Sequence, residues 1–404
     1  MIDTSERGKP VMKNELQKEK VKQIAQILTE DDTDLWLVWV RETSQMADPV
    51  LELIYPGSFV WQSALLFPLN KRPIAIVGNF DADAARATDL FDGVIPYTKD
   101  IKEVLIKELN RLGPSKIAVN YSKNDVAADG LSHGMYLILQ DYLADSDFKN
   151  RLVSAENVVS KLRGRKTKTE IDRIREAIRI TETIFEEAKT FLKVGMTEVE
   201  IQSKFHEAMS RHGVGFAWER YHNPAVDAGP YKQFGHSGPT SHVTKEGHLL
   251  HLDFGVKYMD YCSDIQRMFF FGKPKDVPEE VQNAFETVRD AIQAAADWIR
   301  PGAVGYEVDA IARDFVKERG YDEYQHALGH QVGRQAHDGG TLLGPRWERY
   351  GETPMGVVEV RNVFTLELYA TTEHYGQVSL EEDILITRKG CEFLSRPQKE
   401  LICI

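Results

Sequence analysis

The stretch HLLHLDFGVKYMDYCSDIQRMFFF, residues 248–271, restricts the fold and the chemistry more than any other part of the chain. Two apolar, β-prone runs are separated by Gly255 and by residues 259–261, a pattern that predicts a β-hairpin. Each run carries one acid, Asp253 in the first and Asp264 in the second. A buried carboxylate without a partner is costly, so both acids need a cation, a hydrogen-bond network or a raised pKa. On these residues alone, metal ligation competes evenly with salt bridging or turn capping.

Further donors follow in the second half of the chain, which also holds eleven of the twelve histidines. QHALGHQVGRQAH (325–337) contains three histidines, and the strand-like runs VFTLELYA (363–370) and VSLEEDILIT (378–387) carry Glu367 and Glu382. Because strand residues alternate between faces, we expect Glu382 to point inward and Glu381 to be its solvent-side neighbour. Four carboxylates and one imidazole would balance two divalent cations and suit Mn, Co, Fe or Zn.

These donors, in their order and spacing, resemble the five metal ligands of the M24 metallopeptidases, the pita-bread family of methionine aminopeptidase, aminopeptidase P and prolidase. The resemblance covers about residues 160–404 and rests on LDFGVKYMDYCSD, HALGHQVGRQAH, TLE and EDILIT. It implies a site with two divalent ions, Mn favoured over Co, Zn or Fe, and Glu367 as the base that accepts a proton from water. The implied metal ligands are Asp253, Asp264, His330, Glu367 and Glu382.

The same resemblance implies roles for three histidines outside the metal shell. His236 and His337 would be catalytic, stabilising the oxyanion and the leaving nitrogen, and both would bind substrate together with His326. The other histidines of the second half, His251 among them, match no family position, and we expect them to be structural or superficial.

Two departures from the family pattern concern specificity. HDGG (337–340) stands where the family has HExP, and Leu380 stands two residues before the expected last ligand, where prolidase and aminopeptidase P commonly have arginine. A dipeptide carboxylate then needs another cation. Arg346, in the insert DGGTLLGPRWERYGETP (338–354), is our candidate, although it, Arg334 and Arg361 would each more often be a surface residue. The insert itself fits a rim loop or a plain surface connection.

Two domains are expected in a chain of 404 residues. Helix and strand signals alternate up to about residue 160, which predicts an α/β domain similar to the extra domain of prolidase, aminopeptidase P and creatinase (1–160). A basic run, KLRGRKTK (161–168), is interpreted as a solvated linker into an α+β pita-bread catalytic domain (161–404). There, Thr197 followed by Glu200 forms a capping box that opens a helix.

The resulting hypothesis is a metal-dependent peptidase that cleaves short peptides, Xaa-Pro dipeptides first. Alternatives are aminopeptidase P-like removal of a residue before proline, a metal-dependent relative acting on a non-peptide substrate in the manner of creatinase or a lyase, and a non-catalytic binding protein. A net charge of −12 argues against nucleic-acid and anionic-membrane partners. Three cysteines without CxxC and the lack of an apolar leader favour the cytoplasm. The family resemblance further suggests a homodimer.

Overall fold

The computed structural model describes residues 14–231 and 238–404. It divides into two compact units, one up to Arg163 and the other Gly164–Ile404. None of the helices in the described ranges is both long and apolar enough to cross a membrane.

The first unit is an α/β layer structure around one six-stranded mixed sheet, with strand order β4-β3-β2-β1-β5-β6. Its strands are β1 Leu35–Val40, β2 Ser63–Pro68, β3 Ile74–Gly78, β4 Gly93–Tyr97, β5 Ile117–Val119 and β6 Leu152–Ser154. The helices of this part are α1 Glu15–Glu30, α2 Leu51–Ile54, α3 Ala82–Ala87, α4 Lys102–Leu112, α5 His133–Tyr142 and α6 Glu156–Gly164. Strand β1 is buried along its whole length, so its alternate residues feed separate apolar cores on the two faces of the sheet.

The second unit combines long helices with short, mainly antiparallel sheets. Its helices are α7 Lys168–Phe191, α8 Glu198–His212, α9 Glu279–Trp298 and α10 Gly305–Glu318. Its strands are β7 Gly215–Phe216, β8 Ala225–Ala228, β9 Leu249–Phe254, β10 Val256–Tyr258, β11 Tyr261–Cys262, β12 Ile265–Phe270, β13 Val363–Thr371, β14 Gln377–Ile386, β15 Cys391–Phe393 and β16 Ile402–Cys403. Helix α8 begins with the expected capping box of Thr197 and Glu200, and α7 begins with a second one, Thr167 with Glu170.

The predicted hairpin is formed by β9 and β12, which pair antiparallel with Gln266 opposite Asp253. The small hairpin β10–β11 is inserted between them and turns at Met259 and Asp260, both with positive φ. A Cβ on Gly255 would lie 2.1 Å from the carbonyl oxygen of Ser263, so glycine is required where the two hairpins meet. This tight join delivers Asp264 to the start of β12, close to Asp253.

A second hairpin, β13–β14, presents one face to helix α9 and the other to the acids of the first hairpin. Leu366 and Leu368 on β13 and Leu380 on β14 belong to the same core cluster as the apolar face of α9. Glu367 lies between the two leucines of β13, and Glu381 follows Leu380 on β14. The two glutamates are cross-strand partners and therefore lie together on the opposite face of the hairpin. Packing of α9 thus fixes which residues of the hairpin face the site.

One expectation from the sequence about these elements is wrong. The basic run 161–168 is not a solvated linker, because it is taken up by the end of α6 and the start of α7. Lys166 within it is fully buried and pairs with Asp338 at 3.1 Å. Its charge is balanced inside the second unit rather than by water.

Candidate metal centre

Three side chains from distant parts of the second unit meet at one point. Ligand atoms of Asp264, His330 and Glu381 all lie within 4.8 Å of one another. Asp264 directly precedes β12, Glu381 lies in the middle of β14, and His330 lies in the irregular segment between α10 and β13. That segment is tied to β13 by hydrogen bonds, since the Thr365 amide donates to the His330 carbonyl at 2.9 Å.

Glu367 and Asp253 complete the cluster. His330 Nε2 lies 3.4 Å from Glu367 Oε1 and 3.9 Å from Asp264 Oδ2. In addition to burial, the charge of Asp253 acts on Asp264 and raises the pKa of that carboxyl group, which places the two acids close together. Four of the five residues that the sequence predicts as ligands are therefore brought together, and Glu381 joins them.

The carboxylates of this cluster repel one another in a buried environment. Burial is the main cause that raises the pKa of Asp253 to about 7, with the charge of Glu367 adding to it and that of His251 opposing it. Burial and neighbouring acids also raise the pKa values of Asp264 and Glu381 well above their ordinary range. Burial opposes ionisation of Glu367 too, but the hydrogen bond from His330 and the charges of nearby histidines lower its pKa to about 2.

The residues present fit divalent cations. Asp253 Oδ1 and Glu381 Oε2 are buried and have no hydrogen-bond partner within the described ranges, although each is a strong acceptor. Carboxylate oxygens with one imidazole are donors that Mn, Co, Fe and Zn accept. Cations would supply the missing partners and relieve the repulsion that raises the pKa of these acids.

The expectation that Glu382 is a ligand and Glu381 its solvent-side neighbour is wrong. Glu381 is only 1% exposed and faces the cluster. Glu382 points to the other face of β14, where Arg267 Nη1 and Nη2 donate to its two carboxylate oxygens at 3.0 Å each. The Ser395 hydroxyl and the Gln398 amide also donate to it. This carboxylate is fully satisfied as the buried partner of Arg267 and has no role left for a metal.

Because Glu381 rather than Glu382 faces the cluster, the position at which prolidase and aminopeptidase P commonly have arginine is residue 379 and not Leu380. The residue two positions before Glu381 is Ser379, whose hydroxyl lies 2.6 Å from Gln266 Oε1. Leu380 itself is buried in the core against α9. The sequence did contain a signal that selects Glu381. In the family's E-D-x-x-x-x-T pattern the threonine follows the glutamate by six residues, and Thr387 follows Glu381 by six.

The histidines expected around the metals are placed unequally. The ring of His337 lies 4.2 Å from that of His330, centroid to centroid, and the positive charges of His326 and His337 act on Glu367. The His326 ring is turned toward the backbone of the next residue, with Nδ1 2.7 Å from the carbonyl oxygen of Ala327, and it lies against Tyr369. His236 lies outside the described residues.

The arginine candidates make other contacts or lie at the surface, and Arg334 is largely buried. The guanidinium of Arg346 lies 4.7 Å from the centre of the Tyr306 ring, and that of Arg334 lies near Asp260 and Tyr261. Arg361 is exposed and has a positive φ. The insert that carries Arg346 is packed against α10, since Leu342 and Pro354 leave no room for a Cβ on Gly305. A role for Arg346 in carboxylate binding therefore stays a prediction.

Gln266, which contacts the expected base Glu367, was not predicted from the sequence. Gln266 Nε2 donates to Glu367 Oε2 at 3.0 Å. The available signal was its position two residues after Asp264, which places both side chains on one face of the hairpin.

Comparisons with known proteins agree with this geometry. A family model described as metallopeptidase family M24 matches residues 172–388. An uncharacterized peptidase of Staphylococcus epidermidis is 25% identical over 389 residues, covering 94% of this chain and 99% of the relative. An X-Pro aminopeptidase from Thermotoga maritima has a similar structure, with a TM-score of 0.70, 25% identity, and coverage of 95% and 99% of the two chains. A Xaa-Pro dipeptidase from Bacillus anthracis superposes with a TM-score of 0.73 at 24% identity, covering 96% of this chain and all of that one.

Proposed function

The chain belongs to metallopeptidase family M24, and from this premise we propose that it hydrolyses short peptides, Xaa-Pro dipeptides first, with two divalent metal ions. The fold is α+β, with the pita-bread architecture in the second unit. The observation that carries the proposal is the convergence of Asp264, His330 and Glu381, with Glu367 beside His330. Two buried carboxylate oxygens of the cluster, Asp253 Oδ1 and Glu381 Oε2, have no hydrogen-bond partner within the described ranges.

The proposed metal ligands are Asp253, Asp264, His330, Glu367 and Glu381. When bound, the ions supply Lewis-acid polarisation of the scissile carbonyl and acidify a water molecule. Glu367 accepts the proton of the attacking water, because its carboxylate is ionised and is held between His330 and Gln266. We favour Mn among the ions, since the donor set is rich in carboxylate oxygen.

His337 and His326 are proposed to bind the substrate and to stabilise the charge that develops on the scissile carbonyl oxygen and on the leaving nitrogen. The support is the contact of the His337 ring with that of His330, and the electrostatic effect of both histidines on Glu367. His236 is proposed for the same role on the family resemblance alone.

The test is hydrolysis of Ala-Pro, its C-terminal amide and Ala-Pro-Ala by protein loaded separately with Mn, Co and Zn. Cleavage of Ala-Pro above the other two supports the dipeptidase. Preference for the amide or the tripeptide would replace it with an aminopeptidase P-like activity, which the name of the Thermotoga relative also suggests. Failure of metal-loaded protein on all three would make a non-peptide substrate the leading hypothesis.

Within this test, Glu367→Gln should lower kcat by at least the roughly 10²–10⁴-fold that a general base contributes. The carboxamide cannot accept the proton, although it keeps the shape of the side chain. Glu359→Gln is a matched control, because Glu359 pairs with Arg165 away from the cluster. A Glu367→Gln variant with wild-type kcat would contradict the assignment of the base.

Arg346 is proposed to bind the free carboxylate of the dipeptide. Its exposed side chain contacts the Tyr306 ring, and among the described residues it forms no buried ion pair. Arg346→Ala should then weaken hydrolysis of Ala-Pro by about 10–100-fold, the value of a charged hydrogen bond, and leave the amide almost unchanged. Equal losses on both substrates would remove Arg346 from carboxylate binding.

We also propose that residues 1–160 form a creatinase-like or prolidase-like domain, that the protein is a homodimer, and that it acts in the cytoplasm. The exposed aromatic residues Phe80 and Trp61, whose rings are 5.6 Å apart, support a partner surface on the first unit. Sedimentation equilibrium of the full chain tests the dimer, and a monomer at micromolar concentration would contradict it.

A further inference from the structure

A chain of buried polar side chains leads across β8, β9 and β12 to Glu367. Asp227 and His251 are cross-strand partners, with Asp227 Oδ2 2.9 Å from His251 Nδ1. His251 Nε2 lies 3.0 Å from Gln266 Oε1, and Gln266 Nε2 donates to Glu367 Oε2 at 3.0 Å. Asp227, His251 and Gln266 are each 7% exposed or less. Three strands thus contribute one polar residue each to a continuous path that ends at the proposed base.

Strand alternation explains why these residues share the face of the metal cluster. His251 precedes Asp253 by two residues, and Gln266 follows Asp264 by two. In addition, Gln266 and Asp253 are directly opposite each other in the β9–β12 ladder. The path therefore runs alongside the cluster, on the same side of the hairpin.

The orientation of the Gln266 amide follows from its partners. An ionised Glu367 can only accept, so the NH₂ of Gln266 must face it. The Gln266 oxygen then faces two possible donors, His251 Nε2 at 3.0 Å and the Ser379 hydroxyl at 2.6 Å. A flipped amide would place two acceptor oxygens 3.0 Å apart, which is unfavourable.

The imidazole of His251 is constrained in the same way. Its Nε2 must donate to the Gln266 oxygen, and its Nδ1 faces the carboxylate of Asp227. Rotation of the ring would break both contacts in a site that water does not reach. Asp227 thus orients His251, and His251 orients the amide of Gln266.

We propose that Gln266 is a positioning residue for Glu367, and that Asp227 and His251 hold its amide in place. By binding Oε2, Gln266 leaves Oε1 turned toward His330 and the rest of the cluster, where the two atoms are 3.4 Å apart. A carboxylate that is already oriented loses less conformational freedom when it binds a metal. The inference rests on the proposed function in that Glu367 is taken as a ligand and the base.

The experiment measures Mn²⁺ affinity by titration of the chelator-treated full chain, with the Co²⁺ visible spectrum as a second readout of ligand geometry. Gln266→Met keeps the size of the side chain and removes its hydrogen bonds to Glu367, His251 and Ser379. We expect Mn²⁺ binding to weaken by about 10–100-fold, as for other residues that orient metal ligands, and the Co²⁺ spectrum to change.

Gln398→Met is the matched control. Gln398 is also 7% exposed, and its side chain is hydrogen-bonded to the backbone of Met268 in the same hairpin and to the carbonyl oxygen of Glu400, not to the cluster. It should lose stability and keep wild-type Mn²⁺ affinity. If Gln266→Met does not fold, Gln266→Asn, which is too short to reach Glu367, is titrated instead.

A double-mutant cycle tests the path behind Gln266. Asp227→Val should weaken Mn²⁺ binding, whereas Asp227→Asn, which keeps an acceptor for His251, should restore most of the affinity. Combined with Gln266→Met, Asp227→Val should add little, because both changes act on the same hydrogen bond to Glu367.

Additive losses in the cycle, or a Gln266→Met protein that binds Mn²⁺ as the Gln398→Met control does, would overturn the inference. Failure of the wild-type protein to bind Mn²⁺, Co²⁺ or Zn²⁺ would instead contradict the proposed function. The two failures are therefore distinguishable.

Discussion

Glu381 and Glu382 are neighbours in the chain but lie on opposite faces of β14, so neutralising each should have a different effect. Glu381→Gln removes a proposed ligand. It should weaken Mn²⁺ binding by more than about 100-fold, the largest loss expected when a residue that only orients a metal ligand is changed. The metal-free protein should not lose stability, because one of the crowded charges is gone.

Glu382→Gln is the paired variant and should show the reverse. It weakens the buried bidentate contact with Arg267 and should lower the free energy of unfolding by about 1.5–3 kcal/mol. Mn²⁺ affinity should stay within a few-fold of wild type. Calorimetric titration and thermal unfolding of both variants check this, and a larger metal defect at Glu382 would contradict the strand register.

These two residues also show what a single sequence leaves open. The alternation of side chains along a strand predicts that Glu381 and Glu382 point to opposite faces of β14, but it does not predict which face is directed at the metal cluster. The answer depends on the pairing of Glu367 with Glu381 and on the packing of Leu366, Leu368 and Leu380 against α9, both of which are long-range. Asp253, Asp264, His330 and Glu367 were predictable because their short motifs include flanking residues that fix the local geometry.

At the scale of elements, the buried pair of Lys166 and Asp338 joins the start of α7 to the segment that carries His337. The Asp338 backbone amide donates to Gln331, and its carboxylate accepts from the amide of Gln335. Lys166→Met should destabilise the protein by about 3–5 kcal/mol, because it leaves a buried carboxylate without its cation.

The double variant Lys166→Met, Asp338→Leu should be more stable than Lys166→Met alone, since no uncompensated charge remains. Denaturant unfolding of metal-free protein measures both. A double variant that loses the sum of the two single losses would show that the pair does not act as a unit.

Elements with strong local signals were predicted best. Helix α8 begins with the capping box of Thr197 and Glu200 that the sequence predicts. The basic run 161–168 was misjudged because its composition resembles a solvated surface. The partner that allows Lys166 to be buried lies 172 residues away, so no local pattern reveals it.

At the scale of the whole molecule, the alternation of helices and strands was enough to predict the α/β architecture of the first unit. The order of strands in its sheet was not predictable, because β1 sits between β2 and β5 through pairings that join distant segments. In the second unit, the family motifs predicted the architecture because the proposed metal ligands are distributed over its hairpins.

The metal cluster should also control the stability of the folded chain as a function of pH. The pKa of Asp253 is raised to about 7, and those of Asp264 and Glu381 are also raised well above their ordinary range. Protonation of such groups stabilises the metal-free protein at low pH, and this contribution is lost as pH rises from about 4 through the folded-state pKa values. Bound cations replace those protons, so their benefit is largest where the carboxylates are charged.

We therefore expect the rise in Tm on adding saturating Mn²⁺ to chelator-treated protein to be larger at pH 8 than at pH 5.5. Comparing the two forms at each pH cancels the contribution of acids elsewhere, whose pairing is lost on acidification in both. Glu381→Gln should reduce the rise at pH 8 because it removes one charged ligand. An equal rise at both pH values would mean that the carboxylates keep ordinary pKa values without metal, and the repulsion that makes this cluster a metal site would be absent.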